Sequence, residues 1–199
     1  MIYLIRHAES ELNLQNRLTC GNFPANLTDR GRIQAQHAAN WLKSKSIDAI
    51  ITSPYDRARH TAGIIAQELG CKVKFENGLR EMDCGSLDGT AGTDDLGQWA
   101  SIFKGWLNAD WNAAFPEGES FRQGADRFRS ALKRCEESGT TLAVTHGGVA
   151  RCILPVLCTN LDTNAARINN TGITILEPAG NDQYNCLTWN LLDHLGETI

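Results

Sequence analysis

Short apolar runs alternate with helix-period stretches along most of this chain, and the alternation predicts its elements. The run Ile2 to Ile5 reads as a buried strand ending at Arg6. A helix follows from about Thr28 to Lys45, with Thr28 as N-cap and Ile33, Ala38 and Leu42 in its apolar stripe. Asp48 to Thr52 is a second buried strand. The helix from Asp56 to Leu69 stops at Gly70, a residue that tolerates the left-handed conformation of a helix end. Lys72 to Glu76 is a weaker strand. Ser120-Phe121-Arg122-Gln123 forms a capping box opening a helix that reaches Ser138-Gly139. Thr140 to Thr145 is another buried strand, Gly148 to Cys158 a helix, and Gly172 to Glu177 and Tyr184 to Leu191 two closing strands. The order predicts an α/β fold of three layers, a mainly parallel but mixed sheet with helices on both faces. Gly85 to Glu119 interrupts the pattern with Gly89, Gly92, Gly97, Gly105 and three of the five tryptophans. This stretch is expected to be an irregular, lid-like insertion at about 85–119 of a single domain covering 1–199.

Composition narrows the function classes. The 199 residues carry a formal net charge of −4 and no Lys/Arg cluster, so no electrostatic footprint for nucleic acid is present. No apolar stretch approaches a membrane span, and the few residues before Arg6 are too short for a secretory h-region. The seven cysteines are odd in number and include no C-x-x-C pair, which argues against a disulfide framework or a zinc site. A cytoplasmic protein with reduced thiols and no metal is the expectation.

The candidate chemistry lies at the ends of the expected strands. Arg6 and His7 end the first strand, Arg57 opens the helix after the second, Glu81 follows the third, and His146 ends the fourth. Helix-length crossovers between parallel strands bring such tips to one sheet edge, where open α/β sheets bind ligands. Arginine forks grip a phosphate dianion, and a neutral imidazole can attack phosphorus. Arg6, Arg57 and His146 are the expected clamp, His7 the nucleophile and Glu81 the proton donor to the leaving alcohol. Gly147 and Gly148 let main-chain N–H groups approach an anion. With that clamp no Mg²⁺ is required. Each residue also has an ordinary reading: Arg57 as a solvated first-turn residue, Glu81 as a rim partner of Arg80, His146 as a satisfied strand-end histidine.

The segments resemble the histidine phosphatase superfamily, which includes cofactor-dependent phosphoglycerate mutases. Arg6-His7-Ala8-Glu9-Ser10 is similar to its Arg-His-Gly-Glu-Ser/Thr signature, with Asn13 following. Cys20-Gly21 falls where Ser/Thr-Gly is usual, and Leu27-Thr28-Asp29-Arg30-Gly31 matches the helix entry. Ser53-Pro54-Tyr55-Asp56-Arg57-Ala58, Leu79-Arg80-Glu81 with Gly85, Pro116-Glu117-Gly118-Glu119-Ser120 and His146-Gly147-Gly148 complete the set. The resemblance implies that His7 accepts the phosphoryl group, that Arg6, Arg57 and His146 hold it, and that Glu81 is the acid/base. It also implies that Ser10, Asn13, Cys20, Gly21 and Gly147 bind substrate. Ala8 adds a methyl group beside the nucleophile, and Cys20 weakens one phosphate hydrogen bond.

The resemblance implies longer, more basic insertions in the mutases. Residues 85–119 hold one lysine, Lys104, and no arginine, so phosphatase chemistry is favoured. Trp99, Phe103, Trp106, Trp111 and Phe115 either cover an apolar or heteroaromatic leaving group or pack the insertion onto the sheet. The run Trp106 to Phe121 is similar to α-ribazole phosphatases, beside which a broad sugar-phosphate or phosphoserine phosphatase stays open. The alternatives are mutase-type phosphoryl transfer and a catalytically silent phospho-ligand module. The expected partner is a small phosphorylated metabolite, with no cofactor; a homodimer is left open.

Overall fold

A computed structural model describes residues 1–15, 18–90, 93–108, 110–162 and 167–196. Its strands are β1 (Ile2–Arg6), β2 (Ala49–Thr52), β3 (Val73–Phe75), β4 (Thr141–Thr145), β5 (Ile173–Gly180) and β6 (Gln183–Leu191). They form one sheet in the order β3-β2-β4-β1-β5-β6. The first four in that row are parallel; β5 runs antiparallel to β1, and β6 antiparallel to β5. The sheet is therefore mixed, as the alternation implied.

Side-chain direction alternates along each strand, so neighbouring residues reach opposite faces. Leu4, Ile51 and Ala143 join one core cluster, whereas Ile5, Ile50 and Val144 join the other. Helices α1 (Asp29–Leu42) and α2 (Asp56–Leu69) close the second face through Ala38, Leu42, Ala62 and Ile65. Helices α4 (Phe121–Glu136) and α5 (Gly147–Leu157) close the first through Phe128, Leu132, Val149 and Ile153. Both faces of the central strands are buried, which is why they read as continuous apolar runs.

The local signals act as their chemistry requires. The Thr28 side chain accepts from Gly31 N, and Ser120 and Gln123 cap α4 reciprocally. Gly70 ends α2 at φ +67°, where a side chain would be strained.

One element corrects the sequence reading. Residues Thr93–Leu107, expected to be irregular, form the helix α3. Trp99, Phe103 and Trp106 recur at helical spacing, but Gly97 and Gly105 lower the intrinsic propensity and mask the pattern.

Candidate active site

The strand register builds the site. Arg6 on β1 pairs with Thr145 on β4, and His7 N donates to Thr145 O at 2.9 Å. His7 and His146 therefore leave adjacent parallel strands side by side, with ring centroids 5.3 Å apart. Thr52 pairs with Val144, and Ser53 N donates to Val144 O, which carries Ser53 to the same edge. The helices that follow, α2 and α5, start there and aim their N-termini at this edge.

Around it lies a cavity of about 330 Å³ whose lining includes the polar Arg6, His7, Arg57 and Glu81 and the aromatic Trp99, Phe103 and Trp106. Asn13, Cys20, Gly147, Gly148, Arg151 and Arg167 also line it. Adjacent Arg6 and His7, distant Arg57, and His146, which is not on the cavity wall, are all at least nine-tenths buried.

Each buried group has a defined state. His7 Nδ1 lies 2.8 Å from Ala8 O, so the ring donates there and leaves the Nε2 lone pair free. Burial, then the charges of Arg57 and Arg6, hold the His7 imidazole well below the usual histidine range. It is neutral, the form in which it can attack. His146 is depressed for the same reasons, burial first and Arg57 next. Ser53 Oγ accepts from Tyr55 N and stands 2.8 Å from His146 Nε2. The hydroxyl can donate to Nε2, or accept from it with its second lone pair. His146 Nδ1 is buried with no partner, and so is Arg6 Nε.

The arginines are held by neutral acceptors. Arg6 donates to Ile168 O at 2.8 Å, and Arg57 to Gly21 O at 2.8 Å and Cys20 O at 3.3 Å. Neither forms an ion pair among the described residues, so their charge is left for a ligand. Burial and the neighbouring Arg167 charge push the Arg6 guanidinium down to about 10. The Arg57 guanidinium is also lowered, by burial.

Glu81 does not pair with Arg80; that arginine meets Glu119 at 3.5 Å. The Glu81 carboxylate instead accepts from Gly148 N at 2.8 Å and Val149 N at 2.5 Å, at the start of α5. A Cβ on Gly148 would sit 2.8 Å from Glu81 Oε1, so only glycine lets this carboxylate seat itself.

Several assigned residues have other places than expected. Ser10 is fully buried outside the cavity wall; its N–H and hydroxyl bond Asn13 Oδ1 at 2.9 and 3.2 Å. It positions Asn13, which does line the wall. Gly21 contributes its carbonyl to Arg57 and is likewise not a lining residue. Cys20 was expected to face phosphate as a thiol, but it is disulfide-bonded to Cys84. The expectation of seven reduced thiols is thereby corrected, and cysteine usage no longer argues for a reducing compartment. An odd count hid the pair because the other five cysteines are free. Ala8 packs against Leu27 and Ala35, where its methyl group is accommodated.

Sequence reasoning missed four kinds of support. Ser53 and Tyr55 flank His146, the tyrosine ring 5.3 Å from it. Thr61 accepts from Ala8 N at 3.0 Å and donates to Arg57 O at 2.7 Å, tying the segment after His7 to Arg57. Arg127 donates to the carbonyls of Gly78, Arg80 and Glu81 and pairs with buried Glu119, fixing the loop that carries Glu81. Arg151 and Arg167 bring positive charge to the cavity from outside residues 85–119. Ser53, Tyr55 and Thr61 lie within or beside the motif around Arg57, which was their available signal. Arg127, Arg151 and Arg167 had none.

A neutral histidine, a second histidine and two arginines without ion pairs at one sheet edge form a site suited to binding an anionic group. Residues 2–192 match the Histidine phosphatase superfamily (branch 1), and the chain belongs to it. It is similar to a probable phosphoglycerate mutase GpmB of Escherichia coli O1:K1, 34% identical over 160 residues that cover 78% of this chain and 74% of that protein. Among solved structures, a putative α-ribazole-5′-P phosphatase from Escherichia coli K-12 is 26% identical, with a TM-score of 0.75 over 96% of this chain and 95% of that one. A mycobacterial glucosyl-3-phosphoglycerate phosphatase shares the fold at 24% identity and a TM-score of 0.79, covering 96% of this chain and 98% of that one. Phosphatase or mutase activity is the function this family supports.

Proposed function

We propose that the chain is a metal-independent phosphomonoesterase that hydrolyses a small phosphorylated metabolite through a phosphohistidine on His7. The observation that carries this reading is the pair of buried, unpartnered nitrogens, the Arg6 Nε donor and His146 Nδ1, beside a neutral His7. A buried donor without an acceptor is costly, and a phosphoryl oxygen is the acceptor this cationic site suits.

In the first step His7 Nε2 attacks phosphorus in line while Arg6, Arg57 and His146 hold the equatorial oxygens. The P–O bond to the leaving alcohol breaks, and Glu81 supplies the proton. In the second step water attacks the phosphohistidine, returns a proton to Glu81 and releases phosphate with His7 neutral again. Electrostatic stabilisation by the fixed guanidinium groups is the main contribution to rate.

The leaving group lies against Trp99 and Phe103, which stack with centroids 4.7 Å apart. A flat heteroaromatic alcohol suits that surface, and the likeness to an α-ribazole phosphatase supports it. A second reading has its own observation. Arg151 and Arg167 line the same cavity, and Arg151 Nε is buried without a partner. The basic residues that 85–119 lacks are thus supplied from α5 and from the segment before β5. They suit a leaving group with a second anion, as in mutase-type transfer.

The test is p-nitrophenyl phosphate turnover with EDTA present, in wild type and His7→Ala. Turnover lost in the variant supports the enzyme; no turnover in either, with retained phosphate binding, identifies a silent module. Incubation of 3-phosphoglycerate with 2,3-bisphosphoglycerate separates the remaining readings. Isomerisation faster than phosphate release would make the chain a mutase.

A further inference from the structure

We propose that the Cys20–Cys84 disulfide is a modification site through which dithiols weaken phosphate binding at the active-site arginine. The proposal rests on reading the cavity as a phosphoryl site. The bridge joins residues 64 apart in sequence, and both lie on the wall of the cavity. Both residues are buried, Cys20 7% and Cys84 1% exposed, so the cavity they line is the route by which a reductant would approach.

The bridge ties together the supports of two catalytic groups. Cys20 belongs to the turn whose carbonyls, Gly21 O and Cys20 O, hold the Arg57 guanidinium. Cys84 lies three residues beyond Glu81. Fastening one segment to the other fixes the distance between clamp and acid. Other links would persist after reduction: Asp88 accepts from Cys20 N and Gly21 N, both at 2.7 Å, and Leu18 pairs with Gly89 and Thr90. The reduced chain therefore stays folded, with a looser seat for Arg57.

Three of the five free thiols are buried and do not compete for this chemistry. Cys135 and Cys158 are buried and pushed up to about 12, and Cys152 is raised further by burial. Their thiolate fractions are negligible at neutral pH, whereas Cys71 and Cys186 are half-buried, so the test below includes a Cys71→Ser control.

The reaction balances as a two-electron exchange with an external dithiol. Its thiolate attacks Cys20 Sγ, the Cys20–Cys84 bond breaks, and Cys84 leaves as a thiolate that takes up a proton. The second thiol of the reductant attacks the mixed disulfide, releases Cys20 and becomes an internal disulfide. An oxidised dithiol runs the sequence in reverse. Linkage requires the converse effect: bound phosphate must favour the bridged form by the factor that reduction weakens its binding.

The experiment measures inorganic phosphate binding by calorimetry on full-length protein before and after dithiothreitol, with thiols counted in denaturant. The count should rise from five to seven. The phosphate Kd should rise about tenfold, within the usual range of coupling between sites, and return on reoxidation. Cys20→Ser/Cys84→Ser should bind like the reduced protein and ignore dithiothreitol, whereas Cys71→Ser should keep the response. Saturating phosphate should slow reduction. Seven thiols after treatment with an oxidised dithiol, or a Kd equal within twofold in both states, overturns the proposal. Should the double variant fail to fold, the reduction cycle on wild type, followed by circular dichroism, decides the same question. No phosphate binding in either state would instead overturn the phosphoryl-site reading.

Discussion

The cavity wall built by Arg6, His7 and Arg57 gathers at the strand-tip end of the sheet, whereas the wall built by Trp99, Phe103 and Trp106 belongs to helix α3. At the first wall, main-chain hydrogen bonds in a parallel register decide where each side chain points. At the second, aromatic stacking sets the surface: Trp99 on Phe103, and Trp106 edge-on to Phe115 at 4.9 Å. The tryptophans divide between the two readings. Trp99 and Trp106 line the cavity, while Trp111 packs against Phe121 away from its wall. On the proposed function, chemistry belongs where the backbone is fixed, and selectivity to a surface that can change without disturbing it.

Substitutions at the first wall should have the largest effects. His7→Ala should lower kcat for p-nitrophenyl phosphate by at least about 10³-fold while phosphate still protects the protein thermally. Retained turnover would remove the nucleophile from this wall. Arg57→Ala should lower kcat/KM by about 10²-fold for every phosphomonoester alike, since it grips the transferred group. An effect confined to some leaving groups would place Arg57 with the other wall.

Arg127→Ala sharpens the comparison, because Arg127 belongs to neither wall yet anchors the Glu81 loop. Removing it leaves buried Glu119 with only the longer contact to Arg80 and the Asp83 N–H, and should cost about 2 kcal/mol in denaturant unfolding. It should also lower kcat more than it raises KM. On the leaving-group side, Arg151→Ala should reduce kcat/KM about tenfold for phosphomonoesters bearing a carboxylate or second phosphate. Uncharged leaving groups should change less than about threefold, a contrast that a uniform loss would erase.

The smallest effect is on stability with pH. His7 and His146 are held below the ordinary histidine value, and burial pushes His194 down to about 4. Below about pH 6.5 the unfolded chain binds protons that the native chain refuses, so stability falls as pH drops. The Tm should decline from about pH 6.5 toward about 4 and stay level from about 7 to 8. Removing His194 by His194→Gln should flatten part of that decline without altering kcat. A Tm that rises on acidification would contradict the neutral state of these rings.

The strand-tip wall was legible in the sequence because short motifs and alternating elements specify it. Arg6, His7, Arg57 and Glu81 line one cavity, and His146 stands beside His7, through parallel pairing that a βα alternation implies. Glu81 was legible as a strand-end carboxylate but not in its contacts, since nothing local indicates that Gly148 and Val149 donate to it. The helix over the cavity was hidden by glycines, and the disulfide by five unpaired cysteines. Arg127, Arg151 and Arg167 act across long sequence separations, and a single chain offers no local sign of such contacts.

Acid destroys phosphohistidine, so the decisive measurement uses a rapid alkaline quench of enzyme turning over a ³²P-labelled phosphomonoester, followed by peptide mapping. An acid-labile, base-stable label is expected on the peptide containing His7 and absent from His7→Ala. A label on another residue, or steady turnover with no phosphoenzyme and undiminished in His7→Ala, would contradict a phosphohistidine at this position.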